Sequence, residues 1–74
     1  MYTYYCIKVV LRDGRSGYAA YGSLTDDIND SMFFDTYEEA RNWFLRNTAG
    51  STYEGVPVDE SNSRIVSVSS AHEL

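Results

Sequence analysis

Residues 2–21 read YTYYCIKVVLRDGRSGYAAY, and this stretch decides the fold. Apolar side chains alternate along its first half, so the odd-numbered residues from Tyr5 to Leu11 share one face of an extended strand. Asp13-Gly14 separates this strand from a second β-compatible run at residues 17–21. An Asp-Gly pair between two such runs is typical of a hairpin with a two-residue turn and positive φ at both turn positions. The sequence therefore predicts that the chain opens with an antiparallel β-hairpin.

The length of that turn sets the pairing of the two strands. With two turn residues, Val9 should face Tyr18 on the core side of the hairpin, and Cys6 should face Tyr21 on the reverse side. Tyr2 and Tyr4 share the reverse face with Cys6, and tyrosines exposed beside polar groups often anchor protein interfaces. Tyr4, Cys6 and Tyr21 are therefore a candidate self-association surface. The alternative is that they form a second small core or a sheet edge.

A helix is predicted in the middle of the chain. Residues 32–34, Met-Phe-Phe, favour a brief third strand that ends at Asp35. Thr36 and Glu39 then have the spacing of a capping box, in which the threonine hydroxyl accepts a hydrogen bond from the glutamate amide. The helix should begin near residue 36 and end at about Thr48.

The remainder of the chain predicts a loop and a final strand. Residues 51–63 are mostly small or polar, which indicates a long loop around a short extended piece at residues 56–58. Residues 65–69 are β-branched and serine-rich, which favours a strand. The order strand, strand, short strand, helix, strand predicts a single α+β domain over residues 1–74. In it, one helix packs on one face of an antiparallel sheet of three to four strands.

Composition limits the class of protein. The chain has 74 residues, 43% of them hydrophobic and 15% aromatic, which is more apolar surface than disordered chains carry. No run approaches the roughly 20 apolar residues of a membrane span, and residues 1–24 lack the apolar core of a signal peptide. We therefore expect a cytoplasmic protein that does not bind membranes. Its single cysteine cannot close an internal disulfide.

Residues suited to catalysis or to binding a cofactor are scarce. His72 is the single histidine and lies where chains usually fray, so it is a poor general base. Cys6 has no histidine fixed beside it, and Cys6 with His72 cannot fill the four-ligand shell of a structural zinc. Neighbouring acids such as Asp26 and Asp27 point apart, whereas acid-base catalysis needs two carboxyl groups that converge. We therefore expect no enzymatic activity, no metal and no cofactor.

The acidic residues are unevenly distributed along the chain. Residues 25–39, which we call the acidic segment, hold six of the eleven acidic residues and no base. The six are Asp26, Asp27, Asp30, Asp35, Glu38 and Glu39. These carboxylates are expected to form a negative strip, with Tyr37 beside it. The strip would steer the protein onto a basic, nucleic-acid-binding surface of another protein. The alternative is that these residues cap the helix, shape turns and keep the protein soluble.

Two resemblances bear on function. Residues 5–9, Asp13-Gly14, residues 17–21 and residues 35–40 (DTYEEA) resemble the N-terminal domain of HicB-type antitoxins. Those domains open with a Gly-Tyr-rich hairpin and begin their helix with a similar Asp-Thr-x-Glu-Glu-Ala run. This resemblance covers about residues 2–45 and implies neutralisation of an RNase toxin. In size, acidity and make-up of one helix and one sheet, the chain is also similar to the small anti-CRISPR proteins of phages.

The sequence thus leads to one main hypothesis and two others. The main hypothesis is a non-enzymatic acidic binding protein that mimics nucleic acid and inhibits a nucleic-acid-binding protein or complex. Direct nucleic-acid binding is not expected, because the net charge is -5. The other hypotheses are a HicB-like antitoxin domain and a structural or dimerisation module. A homodimer is compatible with each, because a domain this small covers little of its own apolar surface.

Overall fold

A computed structural model gives the structure of the protein and describes residues 2–70. Along the chain its elements are β1 (Tyr2–Val10), β2 (Ser16–Ala20), β3 (Ser23–Thr25), a 3-10 turn (Ile28–Asp30), α1 (Tyr37–Asn47), β4 (Thr52–Tyr53), β5 (Val56–Pro57) and β6 (Arg64–Ser70). Four strands form an antiparallel sheet in the order β3-β2-β1-β6, and β4 pairs with β5 in a separate ribbon. The predicted α+β class, with one helix and one main antiparallel sheet, is confirmed.

The turn of the first hairpin is one residue longer than predicted. The Leu11 amide donates to the Arg15 carbonyl at 2.7 Å, and the Gly14 amide donates to the Leu11 carbonyl at 3.0 Å. Three residues, 12–14, therefore connect the strands, and among them Gly14 alone has a positive φ, 96°. This is the three-residue hairpin loop in which a type I turn is followed by a left-handed glycine.

The longer turn shifts the strand register by one residue, so the predicted pairing is wrong. Val9 faces Gly17 instead of Tyr18, and Tyr18 instead pairs with Lys8. Because strand side chains alternate between faces, the shift moves Tyr18 from the core side to the reverse side. There the Lys8 ammonium lies 4.9 Å from the centre of the Tyr18 ring. The core side of β2 is left with small residues, including the buried Ala19.

Beyond residue 19 the first hairpin opens, and the predicted third strand enters the gap. Tyr5 and Phe34 exchange two backbone hydrogen bonds of 2.8 Å on the side of β1 that faces β2. The Met32 amide donates to the Ala19 carbonyl on β2 at 2.9 Å. Residues 32–34 thus lie between the two strands of the hairpin and form an isolated bridge rather than a regular strand.

The helix covers one face of the sheet, chiefly over β1 and β6. Its predicted start is confirmed, because the Thr36 side chain accepts a hydrogen bond from the Glu39 amide at 3.1 Å. Ala40 is buried in the main apolar cluster with Ile7 and Val9, and Trp43 and Phe44 pack against that cluster half-buried.

Residues 51–63 are more regular than the predicted loop. They contain the β4–β5 ribbon, and the buried Val58 bridges Leu11. Backbone hydrogen bonds from Arg12 to Pro57 (2.9 Å) and from Asp59 to Val10 (2.8 Å) hold this region against the end of the first hairpin. The final strand, β6, extends one residue beyond the predicted 65–69 at each end.

Candidate protein-binding surface

The first half of the acidic segment is a turn held by its own side chains. The Thr25 hydroxyl accepts a hydrogen bond from the Asp27 amide at 3.1 Å, and the Asp27 carboxylate accepts one from the Asn29 amide at 2.9 Å. The Ser31 hydroxyl donates to the Ile28 carbonyl at 2.7 Å. These bonds fix the path of the chain, so the neighbouring carboxylates of Asp26 and Asp30 are presented from an ordered turn. The Asp27 carboxylate already accepts a hydrogen bond as the N-cap of this turn, so it is less free than Asp26 and Asp30 to bind a partner.

Asp35 lies against a group of exposed aromatic side chains. The Tyr2 hydroxyl donates to Asp35 Oδ1 at 2.7 Å, and the Tyr2 and Tyr4 ring centres are 5.5 Å apart. The Phe33 ring meets Tyr4 edge-on at 4.6 Å. We call Tyr2, Tyr4 and Phe33 the aromatic cluster. Tyr2 is 55% exposed and Phe33 45%, so this cluster offers rings to solvent beside a carboxylate. The hydrogen bond to Asp35 and the charge of Asp35 raise the pKa of Tyr2 above its usual value.

The second half of the acidic segment is the beginning of α1. Glu38 and Glu39 occupy its first turn, where the positive end of the helix dipole stabilises carboxylates. Tyr37 precedes them and is 53% exposed, and its ring meets the Tyr5 ring edge-on at 6.1 Å. Tyr37 is therefore attached to the sheet on one side and open to solvent on the other.

All six carboxylate residues of the acidic segment are exposed. The ion pairs formed within residues 2–70 lie elsewhere and belong to Arg15, which contacts Asp13 at 2.8 Å and Glu54 at 3.2 Å. Arg15 also holds the pKa of Asp13 below its usual range, first through a backbone hydrogen bond. In this part of the chain, therefore, no ion pair offsets the charge of the acidic segment.

Three of the six acidic residues of the acidic segment line two open grooves. Asp26 lines a groove of about 720 Å³ between the β2–β3 side of the sheet and the second half of α1. Asp35 and Glu39 line a second groove of about 460 Å³ that also includes Phe33. Trp43 lies in the wall of both grooves. The structure thus brings Asp35 and Glu39 to one groove, and it places Asp26 in the other.

The three residues of the predicted self-association surface are not brought together. Tyr4 belongs to the aromatic cluster, whereas Tyr21 is 85% exposed and lies between β2 and β3. Cys6 is fully buried, with its Sγ 3.5 Å from the Ser31 hydroxyl, and burial raises the pKa of the thiol. The separation follows from the opening of the hairpin, because residues 32–34 lie between β1 and the end of β2.

The part of the chain that the structure describes offers no metal centre, since no three of its His, Cys, Asp or Glu residues lie close enough to share an ion. His72 lies outside the described residues. Within residues 2–70 no helix has the length and apolar character needed to cross a membrane.

The sequence does not predict the contact between Phe33 and Tyr4, because the run Met32-Phe33-Phe34 indicates only a brief strand. The alternation Tyr2, Thr3, Tyr4 does place two of the three rings of the cluster on one face, as periodicity predicts. The position of Phe33 could not be predicted in this way, because its partner strand is distant in sequence.

Comparison with known proteins identifies no relative. No protein-family model, no curated protein sequence and no solved structure matches the chain.

Proposed function

We propose that the protein is a non-enzymatic inhibitor that binds a basic, nucleic-acid-binding surface of another protein or complex. The observation that supports this most strongly is the junction of the acidic segment with the aromatic cluster, where the Tyr2 hydroxyl and Asp35 share a hydrogen bond of 2.7 Å. Exposed rings and exposed carboxylates thus adjoin on one surface.

This combination resembles the make-up of protein interfaces. Tyrosine is enriched among the residues that contribute most to binding, and such residues are usually surrounded by polar groups at the rim. Carboxylates around the rings would increase the rate of encounter with a basic partner and would select against acidic ones. A surface of carboxylates also offers the same charge as the phosphates that a nucleic-acid-binding site normally contacts.

The anti-CRISPR-like inhibitor suggested by the sequence is one form of this proposal, and its partner would be met in the cytoplasm. The HicB-like alternative uses the same chemistry, because an RNase toxin also has a basic surface for nucleic acid. A structural module, by contrast, does not require an acidic surface. The identity of the captured partner therefore distinguishes an anti-CRISPR-like inhibitor from a HicB-like antitoxin. The effect of charge reversal distinguishes both of these from a structural module.

A capture experiment with charge-matched variants tests the proposal. The protein is immobilised, exposed to a lysate of its host, and eluted at constant ionic strength with duplex DNA or RNA; the captured protein is then identified and purified. We expect a nucleic-acid-binding protein that nucleic acid displaces. The reversal Asp26→Lys with Asp30→Lys should slow association with that protein at least about tenfold at low salt, since surface charges act mainly on encounter.

The single reversal Asp30→Lys is made as well, and its matched control is Glu60→Lys, which makes the same change of charge outside the acidic segment at another exposed position. This control should retain more of the wild-type association rate. Asp27 is left unchanged in every variant, because it caps the 3-10 turn. Equal association rates for Asp30→Lys and Glu60→Lys, or a captured partner that nucleic acid does not displace, would contradict the proposal.

A further inference from the structure

The two edges of the main sheet differ in how they are protected. The β3 edge has three residues and runs directly into Asp26 and Asp27, and short edges beside charges resist pairing with another chain. The β6 edge has seven residues, Arg64–Ser70, in unbroken register with β1. It contains no proline, no bulge and no charge after Arg64. An unprotected edge of this length is a template for another strand.

The hydrogen bonds of β1 show which amide and carbonyl groups of β6 point away from the sheet. Tyr5 uses both its amide and its carbonyl to bond Phe34, on the side of β1 away from β6. Tyr5 pairs with Ser67, so this is a non-hydrogen-bonded pair, and the amide and carbonyl of Ser67 must point away from β1. By alternation, Ile65 and Ser69 present their groups in the same outward direction. Within residues 2–70, no turn or loop hydrogen bond reaches these three residues.

We propose that the protein self-associates through β6, as a two-fold dimer in which the β6 strands of two copies pair antiparallel about Ser67. In this register the outward groups of Ser67 bond those of Ser67 in the second copy. Ile65 exchanges bonds with Ser69 of the second copy, and Ser69 with Ile65. About six backbone hydrogen bonds then join the two sheets into one continuous sheet.

The side chains of β6 favour a second copy over an unrelated strand. The strand reads Val-Ser-Val about Ser67, so it presents the same pattern in both directions. In the proposed register Val66 faces Val68 of the second copy in a non-hydrogen-bonded pair, where side chains are closest. Arg64 falls opposite position 70, a serine, so no like charges meet across the interface. This surface differs from the acidic segment, and the inference does not depend on the proposed function.

Cysteine cross-linking tests the register. At a hydrogen-bonded antiparallel pair the two Cα atoms lie about 5.5 Å apart, a distance that a short bifunctional thiol reagent bridges without the close Cβ approach that a disulfide needs. Ser67→Cys should therefore give covalent dimers with such a reagent. Ser69→Cys is the matched control, because two copies of residue 69 would lie four residue steps apart, about 14 Å. We expect the Ser67→Cys dimer to form at least about tenfold faster. Equal rates, or no dimer from Ser67→Cys, would overturn the proposed pairing.

Sedimentation equilibrium tests the backbone contribution in the protein without added cysteines. Between roughly 10 µM and 1 mM, the mass should rise from the 8.4 kDa of one chain towards twice that value. Ser67→Pro removes the outward amide, which an edge strand tolerates when that amide faces solvent, and should abolish the rise. Ser67→Ala keeps the amide and should retain it. A wild-type protein that stays at the mass of one chain over this range rules the dimer out; so does a rise that persists in folded Ser67→Pro.

Discussion

The substitution Thr36→Ala tests whether Thr36 caps α1 and so fixes where the helix begins. Thr36 accepts a hydrogen bond from the Glu39 amide at 3.1 Å, and this amide is one of the four at the helix start that lack a partner within the helix. Removing the cap should lower the free energy of unfolding by about 1 kcal/mol. For a domain of this size, that loss corresponds to a fall of about 4–8 °C in Tm. Urea and thermal unfolding followed by far-UV circular dichroism measure both quantities.

Two matched variants separate the cap from other effects of the substitution. Thr36→Ser keeps a hydroxyl at the cap and should unfold within about 0.5 kcal/mol of the wild type, since serine is at least as good an N-cap. Thr52→Ala removes an exposed threonine from the β4–β5 ribbon. Its change in the free energy of unfolding measures the effect of a threonine-to-alanine change away from the helix. A Thr36→Ala protein as stable as the wild type, or a Thr36→Ser protein as destabilised as Thr36→Ala, would refute the reasoning.

Three further outcomes follow from buried or bonded groups. Cys6 is buried and should react with a thiol reagent only at the rate of unfolding. Burial raises the pKa of its thiol, so the thiol of the unfolded chain ionises at a lower pH than that of the folded protein, and the free energy of unfolding should fall as the pH rises through the elevated pKa. Gly17→Ala should cost about 1–3 kcal/mol in urea unfolding, because an added Cβ would lie 3.0 Å from the Thr25 carbonyl oxygen. The phenol of Tyr2 should titrate above its usual pKa in ring-carbon NMR, and Asp35→Asn should lower that pKa by removing the charged acceptor.

The helix was predictable because its signals are local. A cap at Thr36, the acids of the first turn and the apolar spacing of the helix all lie within a dozen residues. The register of the first hairpin was not predictable in the same way. Asp13-Gly14 is compatible with both a two-residue and a three-residue turn, and the bond from Arg12 to Pro57 that accompanies the longer turn joins distant parts of the chain. The observed register also leaves small residues on the core side of β2, and Trp43 and Phe44 pack against the buried cluster that includes Ala19.

The contact between the aromatic cluster and the acidic segment depends on where residues 32–34 insert in the sheet, and no local sequence pattern predicts that insertion. The run Met32-Phe33-Phe34 indicates extended chain, but its partners are Tyr5 and Ala19, which lie more than ten residues away and on different strands. Insertion between those strands half-buries Phe34 beside Trp43 and turns Phe33 out towards Tyr4. The same insertion carries Asp35 to the Tyr2 hydroxyl. The positions of the acidic residues along the chain and the shared face of Tyr2 and Tyr4 could therefore be read from the sequence. The contacts of Phe33 and Asp35 with these two tyrosines, on which the proposed function rests, are made by the fold.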